Sequence, residues 1–232
     1  DRELSVRPSR AIEELYHSVL EAKRTHKLTN RLNIRELSFF GRKQELSQLE
    51  EYLSLVETGE AVGPFLVMGQ SGTGKKRLLR QLVLMSNRSF NFIKVEGKAT
   101  SQRYEGSIWN DLKQALEKLG DEMGIPFLEG EDDLISVWNQ LQGLSKEKPL
   151  LILLENAQWI DAVSLEKVKQ LEERRNQEKW QLIFTAEEPL PDFFVNFLGG
   201  LKVEKRLSQL ELTNFEPSES RALLKGELGA IE

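Results

Sequence analysis

Short, unbroken apolar runs alternate along this chain with longer stretches in which apolar residues return every three or four positions. Residues 65–68 (Phe-Leu-Val-Met) and 150–154 are runs of the first kind, and 92–96 and 180–186 are mainly apolar segments that also predict strands. The five consecutive apolar residues at 150–154 predict a strand buried on both faces, as in a parallel sheet. The second kind begins at residues 77–85, where positions 78, 79, 82, 83 and 85 are apolar. It recurs at 107–119 through Ile108, Leu112, Ala115, Leu116 and Leu119, at 134–144, and in a charged form at 164–177. These spacings predict helices. Residues 121–133, with Gly124, Pro126 and Gly130, are expected to form a loop, and Glu172-Glu173-Arg174-Arg175 a solvated helix face. Near the start, Pro8 precedes Ile12, Leu15, Tyr16, Val19 and Leu20, one apolar helical face. Alternating strands and helices imply an α/β fold, a parallel sheet flanked by helices, with a short N-terminal helical segment.

The junction of the first strand and first helix of that pattern carries the chemistry. It reads Gly69-Gln70-Ser71-Gly72-Thr73-Gly74-Lys75-Lys76, a G-x-x-x-x-G-K-[ST] phosphate-binding loop whose last position is altered. Backbone N–H groups of such a loop cradle phosphates, its lysine reaches the β and γ oxygens, and its final hydroxyl holds Mg²⁺. Strand, glycine loop and helix is the context that supports the motif, because the helix N-terminus adds partial positive charge. A protonated amine has no lone pair, so Lys76 puts Mg²⁺ in question and no metal-ligating residue is assigned. Two readings of Lys76 stay open: its charge replaces that of Mg²⁺, or the loop has become a structural turn.

The strand at 150–154 ends in Glu155-Asn156, where a hydrolase needs one acid for the metal and another to activate water. Glu155 can serve a metal; Asn156 cannot accept a proton at neutral pH and could at most orient a water. Glu155 and Asn156 are therefore the candidate catalytic pair of a degenerate site. After the strand at 180–186 stand Glu187 and Glu188, which would repel a phosphate. Lys76, Asn156 and Glu187 together point to weak or absent hydrolysis.

These residues resemble a known group, the signal-transduction ATPases with numerous domains (STAND) within the AAA+ P-loop NTPases. Phe39-Phe40-Gly41-Arg42-Lys43-Gln44-Glu45-Leu46-Ser47-Gln48-Leu49 resembles the F-x-G-R-x-x-E-L-x-x-L box that opens their nucleotide-binding module. Glu155 to Asp161 is similar to their D-D-A-H-W-x-D strand end, keeping Ala157, Trp159 and Asp161, and residues 210–220 resemble the link toward their helical lid. The resemblance covers about residues 36–225. It implies that Arg42 contacts nucleotide beside Gly69, Gln70, Ser71, Gly72, Thr73, Gly74, Lys75 and Lys76; from the residues alone Arg42 is equally well a surface arginine. It implies ATP or ADP as ligand and a switch in which the nucleotide biases a closed against an open, self-associating form. Residues 4–20 resemble the tail of the bacterial transcriptional activation domain, which precedes such a module in regulators of the Streptomyces antibiotic regulatory protein type. The implied layout is a helical segment at 1–33, the nucleotide-binding domain at 34–208 and the start of a lid at 209–232. The implied role is a regulatory module of a bacterial transcription regulator. A slow Mg²⁺-dependent ATPase using Glu155, and an interaction scaffold that has lost nucleotide, are the alternatives.

Composition narrows the partners. The chain of 232 residues has 32 basic and 37 acidic side chains, a net charge of −5. That argues against direct DNA contact by this segment, although residues 2–35 are locally basic. There is no cysteine, which excludes disulfides and thiolate metal sites and is compatible with the cytoplasm. No apolar run approaches a membrane span and no secretory leader is evident. His17 and His26 lie at helical spacing and read as solvated, and Trp109, Trp138, Trp159 and Trp180 as packing residues. An Asp1 start and an unterminated helical pattern at the other end make the chain read as a piece of a longer protein, whose other domains would be its partners.

Overall fold

The computed structural model describes residues 39–60, 62–175, 178–204 and 206–215. The chain divides into units Asp1–Leu37 and Ser38–Glu232, and every described element belongs to the second. The helix expected near residues 12–20, both histidines and the resemblance at 4–20 lie outside the described residues.

The elements run α1 (Lys43–Thr58), β1 (Phe65–Gly69), α2 (Lys75–Ser86), β2 (Asn91–Glu96), α3 (Ser107–Met123), α4 (Asp133–Ser145), β3 (Leu150–Glu155), α5 (Ala162–Arg174), β4 (Trp180–Ala186), α6 (Asp192–Val203) and β5 (Ser208–Leu212). The five strands form one sheet in the order β2-β3-β4-β1-β5, every neighbour parallel. This is the expected α/β fold. Parallel neighbours need crossovers, and the helical segments between the strands supply them.

Alternation along the strands divides the core. Leu66 and Met68 of β1, Ile152 and Leu154 of β3 and Leu182 and Phe184 of β4 join one buried cluster with Trp109, Leu112 and Leu116 of α3, Val137 and Leu141 of α4 and Phe194 and Phe197 of α6. The alternate position Phe65 packs edge-on against Tyr52 of α1, ring centroids 4.9 Å apart. Trp180 meets Trp138 edge-on at 6.1 Å, and Phe184 meets Phe194 at 5.8 Å. Three of the tryptophans pack: Trp109 and Trp180 are fully buried and Trp138 meets Trp180, whereas Trp159 is half-buried.

The structure corrects four expectations. Helix α3 continues to Met123, into the segment read as loop, because Gly124 in the left-handed region caps it by bonding back to Gly120 and Asp121. Met85 is exposed although its spacing matches the apolar face of α2. Glu172 and Arg175 are not a solvated face. Their side chains are buried, Arg175 Nε donating to Glu172 Oε2 at 3.2 Å and Arg206 Nη2 to the same oxygen at 3.3 Å. Burial pushes the Glu172 carboxyl above its usual range, although Arg175 and Arg206 pull the other way. Finally, a lid starting at residue 209 would begin inside β5, whose residues Gln209 to Leu212 pair with Leu66 to Gly69. Helices α1 and α6 and strand β5 complete the domain without having been read as elements from the sequence.

Candidate nucleotide site

The loop Gly69 to Lys76 leaves the carboxyl end of β1, the second strand from the β5 edge. Ligands of open parallel sheets bind at this end of the strands. Gly69 is required by close approach: a Cβ there would lie 2.6 Å from the Leu212 carbonyl of β5. Gly74, with φ 96°, takes a left-handed conformation that turns the loop into α2. No side chain caps α2, and its first turn holds no acid. It opens instead on Lys75, Lys76 and Arg77, cations at the positive end of the helix dipole. Such a terminus is stabilised by anions.

The anions within the protein come from three strand ends. Glu96 ends β2 and Glu155 ends β3, level with each other in the strand register. Glu187 follows β4, whose Ala186 pairs with Met68 just before the loop. Lys75 Nζ donates to the carbonyls of Gly69 at 2.6 Å and Gln70 at 2.9 Å, and lies 3.5 Å from Glu187 Oε2. Lys76 Nζ donates to Glu96 Oε1 and sits 3.7 Å from Glu155 Oε2. Lys94 Nζ lies 3.6 Å from that same oxygen, which is buried and accepts no hydrogen bond. Partial burial disfavours the charge on Lys76, but the bond to Glu96 and the charge of Glu155 outweigh it and hold the amine above the usual lysine value. The Lys76 bond holds the Glu96 carboxyl below its usual range.

Two level carboxylates on neighbouring strands repel, and a cation between them relieves that. Lys76 is that cation. The residues present therefore do not fit a metal held in the usual way. The hydroxyl ligand is absent, and an ammonium reaches into the space beside Glu155 that a divalent ion would use.

Asn156 takes the left-handed conformation, φ 56°, which asparagine tolerates better than most residues. Its Nδ2 donates toward Glu96 Oε1 at 3.3 Å and the Gly97 carbonyl at 3.4 Å, and its own N–H donates to Thr185 Oγ1 at 3.0 Å. Its amide thus ties strand ends together. Arg42 comes to the loop: it donates to the Thr73 carbonyl at 3.3 Å, to the Thr213 carbonyl and to Glu45 Oε1 at 2.8 Å, and stacks on Phe215. Its buried Nε has no partner. Beside it, Gly69, Gln70, Thr73 and residues 211–214 line a cavity of 220 Å³.

The profile of the AAA ATPase domain family matches residues 38–184, well over half of the chain. The chain belongs to this family. No curated protein matches it. Among solved structures it is similar to Aeropyrum pernix ORC2, in ADPNP and ADP complexes, at TM-score 0.55 and 16% identity over 83% of this chain and 54% of that one. Pyrobaculum aerophilum Cdc6p gives 0.55 and 15%, over 84% and 52%. Aeropyrum pernix ORC1, solved in complex with DNA, gives 0.53 and 17%, over 82% and 50%. At these identities the likeness is one of fold, and the chain spans about half the length of these relatives. No helix among the described residues is long and apolar enough to cross a membrane.

Sequence reasoning missed Glu96 and Lys94 as part of this cluster. A signal was present: Glu96 ends an apolar strand just as Glu155 does. Asp161, read only as part of a resembling motif, links two helices. Its carboxylate accepts from Gly106 N and Ser164 N, both at 2.8 Å, at the starts of α3 and α5.

Proposed function

We propose that this AAA domain is a nucleotide-binding switch module of a bacterial transcription regulator. It binds ADP or ATP without Mg²⁺ and hydrolyses ATP weakly or not at all. The observation that carries this reading is Lys76 Nζ between Glu96 and Glu155. It gives the phosphate site a fixed monovalent charge in place of an exchangeable divalent one. Without a metal to polarise the γ-phosphate or an acid at position 156 to take a proton, the site keeps binding and loses turnover. Differential binding to two conformations, rather than hydrolysis, would then run the switch.

The regulatory context rests on the resemblance of residues 4–20 and of the opening box, with residues 1–33 as the tail of a preceding domain and the segment after β5 as the start of a lid. Other domains of a longer chain and self-association are the partners this implies, in the cytoplasm. One relative was solved with DNA; the −5 charge here favours leaving DNA to another domain. The test is phosphate release from ATP with Mg²⁺ by the parent and by Glu155→Gln. Equal, background-level rates are expected. A parent rate that Glu155→Gln abolishes would establish a slow ATPase instead.

A further inference from the structure

We infer that Glu187 makes this site select a nucleoside diphosphate over the triphosphate. The inference deepens the proposed nucleotide reading and rests on it.

A lysine ammonium has three N–H donors. Those of Lys75 meet the Gly69 carbonyl, the Gln70 carbonyl and, at 3.5 Å, the Glu187 carboxylate. The loop lysine is the group that serves the β and γ oxygens. The two carbonyls are neutral and belong to the loop itself, so a β-phosphate can take their place. Glu187 is an acidic residue whose backbone is anchored. Its backbone N–H donates to the buried Gln158 Oε1 at 3.3 Å, and the Gln158 carbonyl accepts from Gln102 Nε2 at 2.8 Å. Strand β4 lies beside β1, so Glu187 stands next to the loop, its carboxylate at the Lys75 ammonium.

The charge count points the same way. Three ammonium groups, Lys75, Lys76 and Lys94, face three carboxylates, Glu96, Glu155 and Glu187, within 3.7 Å of one another in pairs. This cluster is neutral before any nucleotide arrives. A γ-phosphate adds about one further net negative charge and puts the terminal phosphate's charge nearer Glu187, with no divalent ion to offset it. A diphosphate lacks that group. Glu187 is thus a specificity-determining residue.

The experiment is calorimetric titration of the full 232-residue chain with ADP and with ATP, both in EDTA, for the parent, Glu187→Gln and Glu187→Ala. The parent should bind ADP at least about tenfold more tightly than ATP. Both variants should bring the ratio within about threefold, chiefly by tightening ATP. Equal affinities in the parent, or a parallel loss of both nucleotides in both folded variants, would overturn the inference and leave the nucleotide reading standing. Failure of the parent to bind either nucleotide would overturn that reading, and the inference with it.

Discussion

Replacing Lys76 by serine should convert a cation-independent site into one that responds to Mg²⁺, and should destabilise the protein until the ion is supplied. The amine lies 3.7 Å from a Glu155 carboxylate that is only 6% exposed. At an effective dielectric of about 20 that pair is worth about 4 kcal/mol. The amine is itself 49% exposed, so solvent screening leaves about 1–2 kcal/mol. Glu96 and Glu155 would then stand level with Lys94 as their nearest remaining amine. The net loss is about 2 kcal/mol, which lowers Tm by about 4–8 °C at this size. The serine hydroxyl is a competent Mg²⁺ ligand beside two carboxylates. At ten times its dissociation constant the ion returns about 1.4 kcal/mol, or about 3–6 °C. The assay is differential scanning fluorimetry of parent and Lys76→Ser in EDTA and across a MgCl₂ series, with Ca²⁺ as comparison. Acidification should narrow the gap, since protonating Glu96 removes the repulsion. A variant that melts with the parent in EDTA, or that responds to Mg²⁺ no more than the parent does, would refute the role given to Lys76.

Asp161→Ala removes the acceptor shared by the starts of α3 and α5. A lost cap plus buried unpaired N–H groups should cost about 2–4 kcal/mol in urea unfolding, with Asp161→Asn intermediate. Burial opposes the Asp161 charge, but its bonds from Ser164 and the α3 amides hold the carboxyl below its usual value. Its contribution is therefore present above the unfolded-state value and lost as pH falls through the lower folded one, so the Asp161→Asn difference should shrink in strong acid. For Asp133, burial is outweighed by bonds from Lys113, Lys167 and Trp109, which lower its carboxyl from 3.8 to about 2. The stability it adds is complete above pH 3.8 and lost toward pH 2. Asp133→Asn should thus lower Tm at pH 6 by about 2 °C or more and leave it unchanged near pH 2; solvent screening of these part-exposed ions keeps the effect small. Phe184→Ala in the core should cost about 3–5 kcal/mol; a loss under about 1 kcal/mol would contradict the packing described for β4 and α6.

The sequence disclosed what depends on local pattern. Leu150 to Leu154 could only be a buried parallel strand, and the glycines and Lys75 of the loop announce an anion site wherever they stand between strand and helix. What stayed hidden depends on neighbours distant in the chain. The place of Glu96 opposite Glu155 comes from strand order and register, across 58 intervening positions, and no periodicity encodes it. The burial of Glu172 and Arg175 depends on Arg206 arriving from beyond α6; by composition alone four consecutive charges look solvated. Strand β5 was missed because its alternating Ser-Gln-Leu-Glu-Leu is half exposed at the sheet edge, a weak signal beside the continuous apolar runs. Asn156 looked like a failed catalytic acid, and its left-handed backbone supplies a separate reason for an asparagine there.

The central claim is that this site takes nucleotide phosphate without a divalent metal, Lys76 standing where the ion would act. It is tested most directly by titrating ADP into the protein once in EDTA and once in excess Mg²⁺, following heat release. The account predicts saturable binding in both, with dissociation constants within about threefold of each other. Binding that appears only with Mg²⁺ would contradict it.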